Sequence, residues 1–399
     1  MFSDRTGLLF SLNIHLHIMA IYRVGLIGCG MIGKVHAYGY ATLPFYCDPP
    51  PLSARITHVV TAHQESAQRA CDQLGASVAA VDYRAITESD DIDIVHICSP
   101  NADHAPALLS AMAHGKHIYC DKPLTATLAE AEQIEAVLGQ YRGIAQMTLQ
   151  NRFFSATLRA KQLVEAGFLG DLLSFRALYL HGGSANPAAP ARWKLMAAGG
   201  GGVIADLGPH LFDLVEHLAG PIRSVLADTH IAYPQRPAPG DPNKMLAIDA
   251  EESVTALVKL RSGVTGTLEA SKIALGAEDE LRIELHGSRG ALRFNTMEPH
   301  YLDVFDGADA DRPYGGMRGW RRVAAGQRYE KPDSDFPTPK ASIGWIRSHV
   351  ACLSHFLQAV AEGKAADPGL AVGVRLQRLL DATARSAKER RWIDLIDNG

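Results

Sequence analysis

The run Gly28-Cys29-Gly30-Met31-Ile32-Gly33 follows an apolar, strand-like stretch, Arg23–Gly28, and precedes helix-type sequence at Lys34–Ala41. In a strand–turn–helix of the GxGxxG type each part has a physical task. Gly28 permits the tight turn, Gly30 lets a pyrophosphate approach the backbone, and Gly33 lets the helix pack closely on the strand. The open N–H groups and positive dipole end of the helix then face the phosphates. A glycine-rich turn occurs by chance often enough that the sequence around it has to decide. Here Ile56–Ala62, Ile92–Cys98, His117–Cys120 and Ile144–Thr148 read as strands. They alternate with helical segments at Ser66–Leu74, His104–His114 and Leu128–Leu138. Strands apolar on both faces with helices between them imply a doubly wound parallel sheet. Residues 21–150 are therefore expected to form an α/β Rossmann domain for a nicotinamide dinucleotide, with Gly28, Gly30, Met31, Ile32 and Gly33 at its phosphates.

After Asn151 the texture changes. A helix over Thr157–Ala166 leads into Leu172–Leu180, Ser224–Ala232, Ser253–Leu260, Val264–Ile273, Leu281–His286, Gly290–Asn295 and Tyr301–Phe305. Several of these alternate polar and apolar residues with period two, as strands of a one-sided sheet do. Arg261-Ser262-Gly263 and Gly287-Ser288-Arg289 are hairpin-type turns. Pro234–Pro242 and Gly307–Thr338 read as loops, and His349–Glu362 and Leu370–Ala387 as closing helices. Residues 151–399 thus form an α+β domain with an open-faced, mainly antiparallel sheet, for substrate and oligomerisation. The final helices are candidates to pack back on the Rossmann domain. An open apolar sheet face favours a homo-oligomer, a dimer or tetramer.

Charge and cysteine content narrow the partners and the compartment. The 39 basic residues nearly balance 43 acidic ones, a formal charge of -4, so neither nucleic acid nor an anionic membrane is an expected partner. No apolar run reaches the roughly 18 residues that span a bilayer; Leu8–Ile21 is interrupted by Asn13, His15 and His17. Residues 1–20 are an N-terminal extension, with Met19 an alternative start and residues 1–18 expected to be disordered or untranslated. The six cysteines form no CxxC pair or metal-finger spacing, which fits a reducing cytoplasm.

Cofactor choice is read from the end of the second strand. Thr61-Ala62-His63-Gln64-Glu65 has no Asp for ribose hydroxyls and no Arg for a 2′-phosphate. His63 is the expected contact there, or else a solvated loop histidine, with Glu65 a substitute acid. The reading leans to NAD and leaves NADP possible. Ser99-Pro100-Asn101-Ala102-Asp103-His104 follows the third long strand at the ligand-binding edge, so Ser99, Pro100 and Asn101 are expected along the nicotinamide ribose. His104 is either a neighbour of the helix cap or a pocket residue, and is counted with the cofactor residues.

Asp121-Lys122-Pro123 and Gly199–His210 carry the chemistry. Taking hydride from an alcohol carbon needs a cation beside the oxygen and a base for the hydroxyl proton. Lys122, after a short strand, suits the first role, with Asp121 orienting it at the cofactor side. In Gly199-Gly200-Gly201-Gly202-Val203-Ile204-Ala205-Asp206-Leu207-Gly208-Pro209-His210, Asp206 and His210 share a helical face with Asp213 and His217. His and Asp at that spacing can chelate, but Gly208-Pro209 is expected to interrupt the first turn and hydride transfer needs no metal, so none is assigned. Asp206 and His210 are expected to face substrate, with Asp213 and His217 behind them. Asn151, Arg152, His181 and Trp193 are the expected substrate contacts. Tyr179 and Phe154 are equally well explained by packing.

Three of these stretches, in this order, resemble the Gfo/Idh/MocA oxidoreductases: GCGMIG followed by Lys34-Val35-His36, CDKP in place of the usual EKP, and GGGGVIADLGPHLFDL. The resemblance runs from about Ile21 to Ile396, includes the Arg391-Trp392-Ile393 tail, and points toward members like the levoglucosan and inositol dehydrogenases. It implies NAD(P)-dependent exchange of hydride with a hydroxyl or keto group of a sugar, glycoside or cyclitol. Lys122 would stabilise the alkoxide, Asp206 orient substrate and His210 act as general acid/base. Asp121 departs from the family glutamate, keeping the charge and shortening the reach. Two alternatives share the fold: a glycosidase or lyase that oxidises its sugar transiently, and a non-catalytic NAD(P)-binding sensor.

Overall fold

A computed structural model describes residues 21–326, 338 and 341–395; residues 1–20, read above as an extension, lie outside the described residues. The first half is a six-stranded parallel sheet of order β3-β2-β1-β4-β5-β6. Its elements run β1 (Ile21–Ile27), α1 (Met31–Tyr46), β2 (Ser53–Val60), α2 (Gln64–Leu74), β3 (Val78–Ala80), α3 (Arg84–Thr87), β4 (Ile94–Ile97), α4 (His104–Ala113), β5 (His117–Asp121), α5 (Leu128–Leu138) and β6 (Ala145–Thr148). Every side chain of β4 is buried, including that of His96, so Ile94, Val95 and Ile97 read as apolar on both faces of the strand. Each fully buried Val, Leu or Ile contributes about 1.5–3 kcal/mol.

A short 3-10 turn, Gln150–Phe153, leads to α6 (Ser155–Glu165) and a nine-stranded sheet of order β16-β15-β14-β13-β7-β12-β11-β8-β17. Its strands are β7 (Leu172–Leu180), β8 (Ile222–His230), β11 (Ser253–Leu260), β12 (Thr265–Ser271), β13 (Glu280–Gly287), β14 (Gly290–Asn295), β15 (Tyr301–Asp306), β16 (Trp320–Ala324) and β17 (Ile393–Asp394). Only β7 and β12 pair in parallel. β11 shows the mechanism: Val254, Ala256, Val258 and Leu260 are buried against the helix side while the residues between them face outward. α7 (Val203–Ala219) covers the inner face across β7 and β12. The closing helices α8 (Trp345–Glu362) and α9 (Leu370–Glu389) do pack back, α8 on α1 and α9 on α5, α7 and β8. One continuous apolar core therefore runs under both sheets.

Four local expectations are corrected. α1 continues through Pro44 to Tyr46, because Tyr40, Leu43 and Tyr46 are buried and hold its last turns down, so the connection to β2 is short. α7 likewise runs unbroken through Gly208-Pro209; proline there removes one N–H, and burial of the surrounding apolar face outweighs that loss. Pro234–Pro242 is not loop alone: β9 (Gln235–Ala238) pairs with β10 (Asp241–Ala247). The stretch from Gly307 contains β16, an edge strand whose exposed Trp320 and Arg321 left no alternating pattern to read.

Candidate active site

The turn after β1 has the properties a dinucleotide needs. Gly28 sits at φ +90°, where a Cβ would lie 2.6 Å from the backbone of Cys98, so only glycine fits. Gly30 precedes α1, no side chain caps that helix, and no acidic residue lies in its first turn. A Cβ on Gly30 would meet nothing within 4 Å. Open N–H groups, open space and no competing carboxylate fit a pyrophosphate. Met31 and Ile32 flank that space, while Gly33 packs against the Gly28 carbonyl.

At the end of β4, Ser99, Pro100 and Asn101 line the same cavity, and Asn101 Nδ2 donates to the Gly200 carbonyl at 2.8 Å, joining the two halves of the molecule. His104 is corrected: it is fully buried, with its ring nitrogens 2.9 Å from the carbonyls of Pro123 and Ser99. It is a strut that fixes the two loops carrying Ser99 and Lys122. His63 is exposed at the start of α2, away from the cavity lining, and Glu65 pairs with Arg69.

The cavity, about 700 Å³, lies between the carboxyl edge of the parallel sheet and the α7–β7 side of the long sheet. Asp121 and Lys122, at the end of β5, enter from one side, and Asp206 and His210, one turn apart on α7, enter from the other. Glu251 holds the start of α7, accepting from Ile204 N at 2.9 Å. Lys122 Nζ donates to the Asp206 carbonyl at 2.6 Å and lies 3.3 Å from Asp206 Oδ1. Lys194 reaches Oδ1 at 2.9 Å and Lys272 reaches Oδ2 at 3.1 Å. Burial alone would raise the Asp206 pKa, but the ammonium groups of Lys122, Lys272 and Lys194 outweigh it and hold the carboxyl well below its usual range. Burial lowers the pKa of Lys272, and Asp206 opposes that fall. His210 is 4% exposed, and among the described residues its Nδ1 has no hydrogen-bond partner. Burial first, then Lys122, drives its pKa well below the ordinary value, with Asp206 acting the other way. The ring is therefore neutral near pH 7 and free to accept a proton.

Of the four expected substrate contacts, His181 and Trp193 line the cavity. Asn151 and Arg152 do not. The 3-10 turn presents Gln150 to the cavity and turns the two residues after it into the protein. Arg152 bonds Asp213 at 2.6 Å and Asp367 at 3.3 Å, so the shared face of α7 divides, Asp206 and His210 to the cavity and Asp213 to this ion pair. His217 lies further along, its carbonyl accepting from Lys161 at 2.8 Å. Tyr179, weighed above between packing and the site, lines the cavity and donates its hydroxyl to Asp279 at 2.8 Å; Asp279, Lys194, Lys272, Gln150, Trp345 and His349 were not anticipated. Lys194 alone had a signal, its place beside Trp193 before the glycine run. A larger groove of about 930 Å³, lined by Gly167, Arg289, Arg318 and Trp320, holds none of the candidate residues.

Residues 22–148 match the family description "Oxidoreductase family, NAD-binding Rossmann fold", and residues 157–293 match "GFO/IDH/MocA C-terminal domain". The levoglucosan dehydrogenase of Pseudarthrobacter phenanthrenivorans is 30% identical over 385 residues, covering 93% of this chain and 97% of that protein. The inositol 2-dehydrogenase of Rhizobium meliloti is 26% identical, covering 94% and 99%. A solved levoglucosan dehydrogenase in complex with NADH and levoglucosan superimposes with a TM-score of 0.88 at 30% identity, over 95% of this chain and all of that one.

Proposed function

The chain belongs to the GFO/IDH/MocA family of oxidoreductases, and from that premise we propose how it exchanges hydride between NAD and a secondary alcohol of a sugar, glycoside or cyclitol. Bound NAD supplies the nicotinamide that takes or returns the hydride. Lys122 offers its ammonium to the substrate oxygen, where a cation stabilises developing alkoxide charge. Asp206 holds that ammonium in place and balances Lys194 and Lys272. Neutral His210 takes the hydroxyl proton in oxidation and returns it in reduction. Trp193 gives the apolar C–H face of a ring a platform, and His181 a hydrogen-bonding edge. Gly28, Gly30, Met31, Ile32, Gly33, Ser99, Pro100, Asn101 and Asp121 border the dinucleotide, with His63 toward its adenosine end.

The observation that carries this reading is that Lys122 and His210, from opposite halves of the chain, line one cavity beside the glycine turn. A panel of polyols and glycosides, assayed by absorbance with NAD and with NADP, tests it. NADH accumulating in step with product is the expected result. Turnover of a glycoside without net NADH would mean redox-assisted cleavage, and NAD binding without any turnover a sensor.

Residues 21–150 serve as the NAD-binding unit and 151–399 as the unit for substrate and oligomerisation. The chain acts as a homo-oligomer in the cytoplasm. Cysteines without disulfides support the compartment, and the outward Leu257, 42% exposed on β11, supports the oligomer. Among the described residues no helix is long and apolar enough to cross a membrane.

A further inference from the structure

A file of imidazoles runs inward from the cavity. His349, on α8, lines the cavity with His210 and Lys122. Its Nδ1 is 3.3 Å from His36 Nε2, His36 Nδ1 is 2.7 Å from His96 Nε2, and His96 Nδ1 is 3.3 Å from the Tyr40 hydroxyl. All four side chains are buried. Among the described residues His349 Nε2 has no hydrogen-bond partner. The four groups come from α1, β4 and α8, and the hydride chemistry proposed above uses none of them.

Burial pushes the pKa of His36 down to about 4 and those of His96 and His349 well below the ordinary value. His36, His210 and Lys122 face His349 and lower it further, whereas Asp121 faces His36 and opposes its shift. Each ring is therefore neutral, with one N–H, and the chain has two possible directions. In one, Tyr40 donates to His96, His96 to His36 and His36 to His349, leaving His349 Nε2–H to donate. In the other every bond reverses, and the buried Tyr40 hydroxyl must find a different acceptor; among the described residues its one hydrogen-bond partner is His96. An orphaned buried donor is costly. Once the cavity holds a ligand oxygen, only the first direction satisfies every group. The Cys98 thiol, 3.2 Å from His36 Nδ1 and kept protonated by burial, can donate to the same lone pair.

We infer that the Tyr40–His96–His36 chain fixes His349 as a hydrogen-bond donor to an oxygen of the ligand at the reacting end of the cavity, either the sugar or the nicotinamide carboxamide. This rests on the hydride-transfer reading only for the identity of the ligand. A metal shared by His36, His96 and Cys98, whose ligand atoms lie within 4.8 Å of one another, is the poorer account. Two nitrogens on one tetrahedral zinc sit about 3.3 Å apart with Zn–N near 2.0–2.1 Å, and here they are at hydrogen-bond distance.

The test has a structural arm and a functional arm, both on the full chain. With 15N-histidine labelling, and signals assigned from His349→Phe and His96→Phe, NMR reads the tautomer of each ring. A protonated Nε2 and bare Nδ1 on His349, in the protein saturated with NADH, is expected; a bare Nε2 overturns the inference whatever the enzyme's substrate. In the functional arm His349→Phe is expected to weaken one ligand about tenfold, as loss of one hydrogen bond does. A change in NADH affinity by fluorescence assigns the carboxamide, and a change in KM for the polyol assigns the sugar. His349→Gln, which keeps a donor, is expected to recover most of it. Should His349→Phe fold and bind both ligands as the parent does, the inference falls. Bound zinc that survives dialysis and is lost in Cys98→Ser would overturn it in favour of the metal.

Discussion

Asp206→Asn removes the one negative charge shared by three lysines while keeping the shape of the side chain. At 3.1 Å from Lys272, and with an effective dielectric of 20, the Coulomb attraction lost is about 5 kcal/mol. Lys272 is buried, and burial already lowers its pKa, so it can shed its proton rather than remain an unpaired cation. That caps the loss near the ~3 kcal/mol at the lower end for broken buried pairs. Lys194, 45% exposed, is screened by water and adds little. Urea unfolding is the assay, and removing the stranded cation as well is the control. Lys272→Met in the Asp206→Asn background is expected to recover most of the stability, since an apolar replacement of both charges is often neutral. Activity is expected to stay down by roughly 100-fold or more in both proteins, because Lys122 keeps its bond to the residue 206 backbone carbonyl but loses the carboxylate charge beside its ammonium. Additive loss of stability in the double variant would refute the view that Lys272 is buried at Asp206's expense.

Other expectations follow from the same geometry. In oxidation, protonated His210 cannot take the hydroxyl proton, so kcat/KM falls as pH drops through its pKa, which burial and Lys122 depress. The acid limb is therefore expected below the ordinary histidine value of ~6.5, and a limb centred at or above that value would contradict the assignment. Gly28→Ala places a Cβ against the Cys98 backbone at positive φ, and NADH affinity measured by fluorescence is expected to fall by about tenfold or more. Arg152→Met removes the partner of buried Asp213, whose carboxyl pKa burial already pushes up to about 6 and which can therefore take a proton. The cost in unfolding is expected near ~3 kcal/mol with KM for the polyol unchanged. A raised KM with unchanged stability would return Arg152 to the substrate.

What could be read from the sequence was whatever backbone chemistry marks locally. The glycine turn, Lys122 before a proline and the helix led by Gly202 each carry a conformational signature, and the cavity is assembled from those three. Long period-two strands such as β11 and β13 were legible for the same reason. The side chains that complete the site were not. Lys272 ends up buried because β12 delivers it under Asp206, and nothing local distinguishes it from a surface lysine. Trp345 and His349 arrive from the first turns of α8 through tertiary packing alone. Asn151 and Arg152 missed by one and two residues: the 3-10 turn aims Gln150 at the cavity, and the charge on Arg152 belongs to Asp213. His104 lies at the right edge of the sheet but points into the protein, where it braces two loops through their carbonyls.

The most direct trial of the hydride-transfer account is a pair of variants, Lys122→Ala and His210→Ala, measured for turnover of an identified polyol and for NADH binding. Turnover is expected to fall by about 10²–10⁴-fold in each while NADH affinity stays close to that of the parent. Full activity in both variants would contradict the account, because a cation and a base that converge on one cavity would then have no part in the chemistry there.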